Sequence, residues 1–79
     1  MARAMLLQAG RQYLREVIQI QHQVLLKTPS GAAQPLAVAI DAAQPQDILG
    51  TLAGDDTLLV LTADPEAAGR VAAWLGDLT

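Results

Sequence analysis

Two adjacent carboxylates, Asp55 and Asp56, separate Gly54 from the apolar run Leu58-Leu59-Val60-Leu61, and the stretch before them, Gly50-Thr51-Leu52-Ala53, is itself strand-like. A strand that stops, turns within a few residues and runs straight back as a strand predicts a β-hairpin with an acidic tip. Gly54 permits a positive φ, and Asp tolerates turns because its carboxylate accepts bonds from local N–H groups. Neighbouring carboxylates repel one another and attract a cation, either a metal ion or the basic group of a ligand or partner. The plainer alternative is a solvated turn, because Gly and Asp are recruited to such turns routinely.

The chain has 79 residues, enough for one small domain. A chain this short buries about 60% of the surface its unfolded form exposes, so its core is marginal. It contains no cysteine. That removes disulfides, thiolate metal sites and thiol nucleophiles, and fits a cytoplasmic protein at least as well as a secreted one. Hydrophobic residues make up 52% of the chain, with one Tyr, one Trp and no Phe, so the core must be aliphatic. So much aliphatic surface in so few residues implies that part of it is covered by another copy. The net charge of −3 argues against a free-standing nucleic-acid binder, which carries a basic face, and admits a cationic ligand. No apolar run approaches the roughly 18 residues of a membrane span, so no membrane partner is expected. The apolar stretch near the start is too short for a signal-peptide core.

Residues 1–13 read as a linker or a short, partly frayed helix interrupted at Gly10, and residues 14–79 as the domain proper. Residues 14–21 alternate as a strand, with Glu16, Ile18 and Ile20 on one face and Val17, Gln19 and Gln21 on the other. Residues 21–23 form a turn and 24–28 a second strand. The lone His22 has no nucleophile or acid near it in sequence and reads as a solvated turn residue. Pro29-Ser30-Gly31 ends the strand and opens a helix, with Ser30 as N-cap and Pro35 in the first turn. Ala33, Leu36, Ala37 and Ile40 line one face of that helix, and Gln44-Pro45 ends it. Gln34 and Asp41 lie seven residues apart, about 700° of rotation, and therefore share a face. That spacing suits two groups gripping opposite ends of a small polar molecule; the plainer alternative is two solvated side chains.

Residues 47–53 and 57–62 read as the third and fourth strands. Positions 58–61 are apolar on both faces, whereas an antiparallel strand usually keeps one face wet, so a neighbouring copy is expected to cover the second face. Asp64-Pro65-Glu66 starts a final helix, with Asp as N-cap and Pro at the first position. Its apolar stripe is Ala67, Ala68, Val71, Leu75 and Leu78, with Trp74 at the edge. The order β-β-α-β-β-α predicts an α+β two-layer sandwich: a four-stranded, mostly antiparallel sheet with two helices on one face.

Taken together, Gly50-Thr51-Leu52-Ala53-Gly54-Asp55-Asp56-Thr57, Thr28-Pro29-Ser30-Gly31-Ala32-Ala33-Gln34 and Asp41 resemble the C-terminal domain of the bacterial arginine repressor. In that family a T-x-x-G-A-A segment opens the first helix, an aspartate follows near the helix end, and GT-[IL]-AGDDT forms the second hairpin. The likeness runs over roughly residues 14–78. It implies L-arginine as a co-repressor ligand, no other cofactor and no enzymatic activity. It also implies trimers that stack in pairs into a hexamer, with arginine lodged between them. Carried over residue by residue, Asp55 meets the guanidinium from the facing trimer, with Asp56 beside it. Gln34 and Asp41 hold the α-amino and carboxylate end, and Thr51 and Ala53 contribute through the hairpin. A guanidinium and an ammonium are natural partners for carboxylates. The family carries a winged helix-turn-helix ahead of this point, and DNA is expected to be reached only through such a domain, which these residues do not contain. Two alternatives of other classes stand beside this expectation. One is a small metal-dependent hydrolase in which Asp41, Asp55 and Asp56 bind Mg²⁺, although no general base or phosphate cradle is evident. The other is a purely structural oligomerisation module whose acidic hairpin caps a contact.

Overall fold

The computed structural model describes residues 1–78; Thr79, the last residue of the expected 14–79 domain, lies outside them. The elements run α1 (Ala2–Tyr13), β1 (Glu16–Ile20), β2 (Gln23–Lys27), α2 (Ala33–Ala43), β3 (Gly50–Ala53), β4 (Thr57–Leu61) and α3 (Pro65–Gly76). The strands form one sheet in the order β1-β2-β4-β3, and every neighbouring pair is antiparallel. The expected α+β sandwich is what forms, with α1 as a third helix.

Each hairpin shows how the local sequence is satisfied. β1 and β2 join through Gln21-His22, with Ile20 opposite Gln23. So tight a link needs left-handed backbone, and Gln21 supplies it at φ 54 without an Asn-Gly pair. Gln19 Nε2 steadies the turn by donating to Gln21 O at 3.0 Å and Pro65 O at 3.1 Å. In the second hairpin Gly54 N donates to Thr57 O at 2.8 Å. Gly54 does not use the positive φ open to it; the glycine with a positive φ is Gly31, at φ 78. β3 is also shorter than expected. The chain turns through Gln46 and Asp47 instead, with Ile48 N donating to Pro45 O at 3.3 Å, and the ladder starts only at Leu49 N→Leu61 O, 2.8 Å.

The start of α2 corrects the expected cap. Ala32, not Ser30, is the N-cap, and no side chain caps it. The left-handed Gly31 and the Ala32 N→Pro29 O bond make a complete turn first, which delays the helix by two residues. α3 begins as expected: the Asp64 carboxylate accepts Ala67 N at 2.8 Å and Pro65 opens the helix.

α2 and α3 cover one face of the sheet. Val24 and Leu26 of β2 and Leu58 and Val60 of β4 pack there against Leu36 and Ile40 of α2 and Val71 and Leu75 of α3. α1 packs on α2 and places Leu6, 1% exposed, in the same core. Gly10 was expected to interrupt this helix but lies within it. Its missing side chain makes room for Leu78, since a Cβ there would meet Leu78 Cβ at 3.0 Å. Deleting the methyl groups of a side chain buried like Leu6 costs about 2–5 kcal/mol, a large share of the stability of so small a domain. Leu6→Ala is therefore expected to lower the denaturant midpoint sharply, and a midpoint unchanged from wild type would show that α1 adds nothing to the core.

Among the described residues, no helix lies over the other sheet face. Ile18, Leu25, Leu59 and Leu52 stand opposite one another in a row across all four strands. Ile18, Ile20 and Leu52 are exposed, and Leu25, Leu59 and Leu61 are half-buried.

Candidate functional site

The site forms where α2 runs past the edge strand β3. Thr51 lies opposite Val60 and Ala53 opposite Leu58, so both face the helix side of the sheet. α2 turns Leu36, Ala37 and Ile40 into the core and leaves Gln34 and Asp41 on its exposed flank. The two meet β3 at separate points. Thr51 Oγ1 lies 3.1 Å from both carboxylate oxygens of Asp41. Gln34 Nε2 donates to Ala53 O at 3.4 Å. The shared-face geometry expected for Gln34 and Asp41 is thus present, with the two residues about 10 Å apart along the helix axis. Val38, which sequence reasoning passed over, lies between them on the same flank and is 62% exposed. Its signal was legible in the sequence: four residues after Gln34, it falls off the Ala33, Leu36, Ala37 and Ile40 stripe and on the flank that Gln34 and Asp41 share.

The acidic tip is stitched to the loop that precedes α2. Thr28 N donates to Asp56 O at 2.9 Å and Ala33 N to Asp55 O at 3.2 Å. The two side chains then diverge. Asp55 Oδ2 accepts Ser30 Oγ at 2.8 Å, beside the start of α2. Asp56 Oδ1 accepts Thr57 Oγ1 at 2.9 Å and lies 3.8 Å from Lys27 Nζ, which donates to Thr57 Oγ1 at 2.6 Å. Asp56 therefore has a resident cation within the chain. Ser30 and Lys27 were not among the expected site residues. Ser30 was masked by its resemblance to a helix cap, and Lys27 could be placed beside Asp56 only through the β2–β4 register, in which it faces Thr57.

The strongest ion pair lies outside the groove. Arg70 on α3 holds Asp47 through two parallel bonds, Nε–Oδ2 at 2.9 Å and a terminal nitrogen to Oδ1 at 3.0 Å. The Arg70 hydrogen bond holds the Asp47 carboxyl below its ordinary range, and the same bond raises Arg70. This pair anchors the segment that links α2 to β3, the two elements that form the groove.

Asp41 lies at one end of the groove and Asp55 at the tip. Among the described residues, no group of three or more His, Cys, Asp or Glu side chains comes close enough to hold a metal ion. The carboxylate triad that a metal-dependent hydrolase would need is not assembled.

A family model described as "Arginine repressor, C-terminal domain" matches residues 11–77. Curated arginine repressors are similar over much of the chain. That of Solibacter usitatus is 43% identical over 60 residues, which is 76% of this chain and 41% of the relative. That of Bifidobacterium adolescentis is 47% identical over 55 residues, 70% of this chain and 32% of the relative. That of Koribacter versatilis is 35% identical over 68 residues, 86% and 46% respectively. The chain thus spans less than half the length of these relatives. The family match takes in the α2–β3 groove, the acidic tip and the whole sheet, so the chain belongs to the family of arginine repressor C-terminal domains.

Proposed function

We propose that this chain is the L-arginine-sensing and oligomerisation part of a transcriptional regulator of arginine metabolism. The observation that carries the reading is the groove itself: Gln34 and Asp41 along α2 face Thr51 and Ala53 of β3, with Asp55 held at the neighbouring tip. Arginine is charged at both ends and apolar between. At the α-amino and carboxylate end, the Asp41 carboxylate suits the ammonium and the Gln34 amide, with both donors and an acceptor, can meet either group, and the exposed Val38 on the same flank suits the aliphatic stem. Asp55 offers a carboxylate to a guanidinium, and Asp56 stands beside it with its charge partly offset by Lys27.

The exposed groove of one chain does not enclose a ligand, and a facing copy would complete it. The uncovered apolar sheet face supplies a first self-contact, which we assign to the trimer. Stacking of two trimers then brings acidic tips toward one another, and like charges oppose that approach until a cation enters. A ligand that binds only the stacked state stabilises it by about 2.7 kcal/mol per site at a hundredfold excess over its Kd. Contact with DNA belongs to another part of such a regulator, since a chain of net charge −3 has little to offer duplex phosphates.

Calorimetric titration with arginine, lysine and citrulline tests the proposal. Arginine is expected to bind. Lysine should bind far more weakly, because an ammonium cannot make two parallel bonds to one carboxylate, and neutral citrulline should not bind. Equal affinity for arginine and citrulline would exclude a charge-based site.

A further inference from the structure

We propose that Ser30 is a positioning residue, whose hydroxyl fixes the plane of the Asp55 carboxylate so that it can receive a planar cation. The inference deepens, and rests on, the reading of Asp55 as a guanidinium partner.

Among the described residues, three bonds join the loop before α2 and the first residue of α2 to the acidic tip: Thr28 N to Asp56 O, Ala33 N to Asp55 O, and Ser30 Oγ to Asp55 Oδ2. The first two fix the backbone of the aspartates but leave their side-chain torsions open. The outer torsion of an aspartate is broad, so an exposed carboxylate without a partner samples many planes. Among the described residues, Ser30 is the side chain bonded to Asp55, at 2.8 Å, and it engages Oδ2 while Oδ1 has no donor.

The two aspartates differ in a way that bears on this role. Each has its own hydroxyl, Ser30 for Asp55 and Thr57 for Asp56. Of the two, and among the described residues, only Asp56 has a cation beside it, Lys27 at 3.8 Å. Asp55 is therefore the oriented carboxylate without a cation of its own. Orientation matters to one kind of ligand more than another. A guanidinium makes two parallel bonds and needs both carboxylate oxygens in its plane, whereas an ammonium is a point charge that can approach from many directions.

Local sequence does not account for the Ser30 contact. A serine in a turn usually bonds backbone within a few residues of itself, or caps the helix it precedes. Here α2 starts beyond it with Ala32 as cap, and the hydroxyl reaches a carboxylate 25 residues along the chain.

The test is calorimetry on the full 79-residue chain and its variants S30A, S30T and D55N, with arginine and with millimolar lysine, beside their melting curves. Ser30 is exposed, so threonine fits and S30A should leave the melting curve in place. S30A is expected to weaken arginine about three- to tenfold, the weight of one hydrogen bond at an exposed charged group. Lysine should be nearly unaffected, so the preference for arginine over lysine shrinks by a similar factor, and S30T should restore it. If S30A binds arginine like wild type while D55N does not, the role of Ser30 is overturned and the arginine reading stands. Equal losses for both ligands, a lowered melting point, or no restoration by S30T would also overturn it, leaving Ser30 a purely structural residue. A wild-type chain that does not bind arginine would overturn both.

Discussion

Asp55→Asn is expected to lower arginine affinity by well over tenfold while leaving the fold intact. Asp55 is exposed at the hairpin tip, so its side chain contributes nothing to the core. Its structural bonds run through the backbone carbonyl to Ala33 N and through one carboxylate oxygen to Ser30, and asparagine can keep both. What asparagine cannot keep is the charge. Truncating one partner of a charge pair that is desolvated in a complex costs about 2–5 kcal/mol, much of it from the other charge left unpaired. That partner, on this reading, is the guanidinium enclosed when a second copy closes the site. Calorimetry gives the affinity, and a melting curve shows whether the fold is retained. A variant that folds and binds arginine like wild type would show that Asp55 is not the guanidinium partner. Asp56→Asn should lose less, because Lys27 and Thr57 already engage that carboxylate.

The second large effect concerns the uncovered sheet face. Leu59→Glu is expected to convert the assembled protein to a folded monomer. In β4 the side chains alternate, and Leu58 and Val60 enter the core while Leu59 and Leu61 point the other way and stay half-exposed. A glutamate at position 59 therefore meets water in the isolated chain and costs the fold little. In an assembly that covers the row Ile18, Leu25, Leu59 and Leu52, the same glutamate loses its water without gaining a partner. Each Leu removed from such a contact forfeits about 1.5–3 kcal/mol of burial, and each unpaired ion adds several kcal/mol of desolvation. Together these raise the dissociation constant by more than about a hundredfold. Sedimentation at low micromolar protein reads this directly. Wild type should sediment as a trimer or larger and move toward a hexamer with millimolar arginine, whereas L59E should sediment as a monomer with an unchanged circular dichroism spectrum. An L59E chain that still assembles would place the self-contact elsewhere.

Much of this protein was determined by residues acting over short distances. The Asp64-Pro65-Glu66 start of α3 and the helical face of Leu36, Ala37 and Ile40 follow from capping and a 3.6-residue period. Local signals also put Gln34 and Asp41 on one flank of α2. Other features depended on partners remote in the chain. The hydroxyl of Ser30 is equally able to cap a helix or to meet a carboxylate, and the left-handed turn at Gly31 decided between them by moving the helix start. Gly10 reads as a helix breaker until the approach of Leu78, 68 positions along the sequence, explains why no side chain fits there. β3 lost its first residues because the chain turns after Pro45 and Asp47 pairs with Arg70 on α3. The different surroundings of Asp55 and Asp56 follow from the strand order β1-β2-β4-β3, which sets Lys27 opposite Thr57 and leaves β3 at the edge beside α2. Periodicity and capping act within a few residues and can be read along the chain. Which carboxylate is left without a cation depends on contacts that exist only once the sheet has closed.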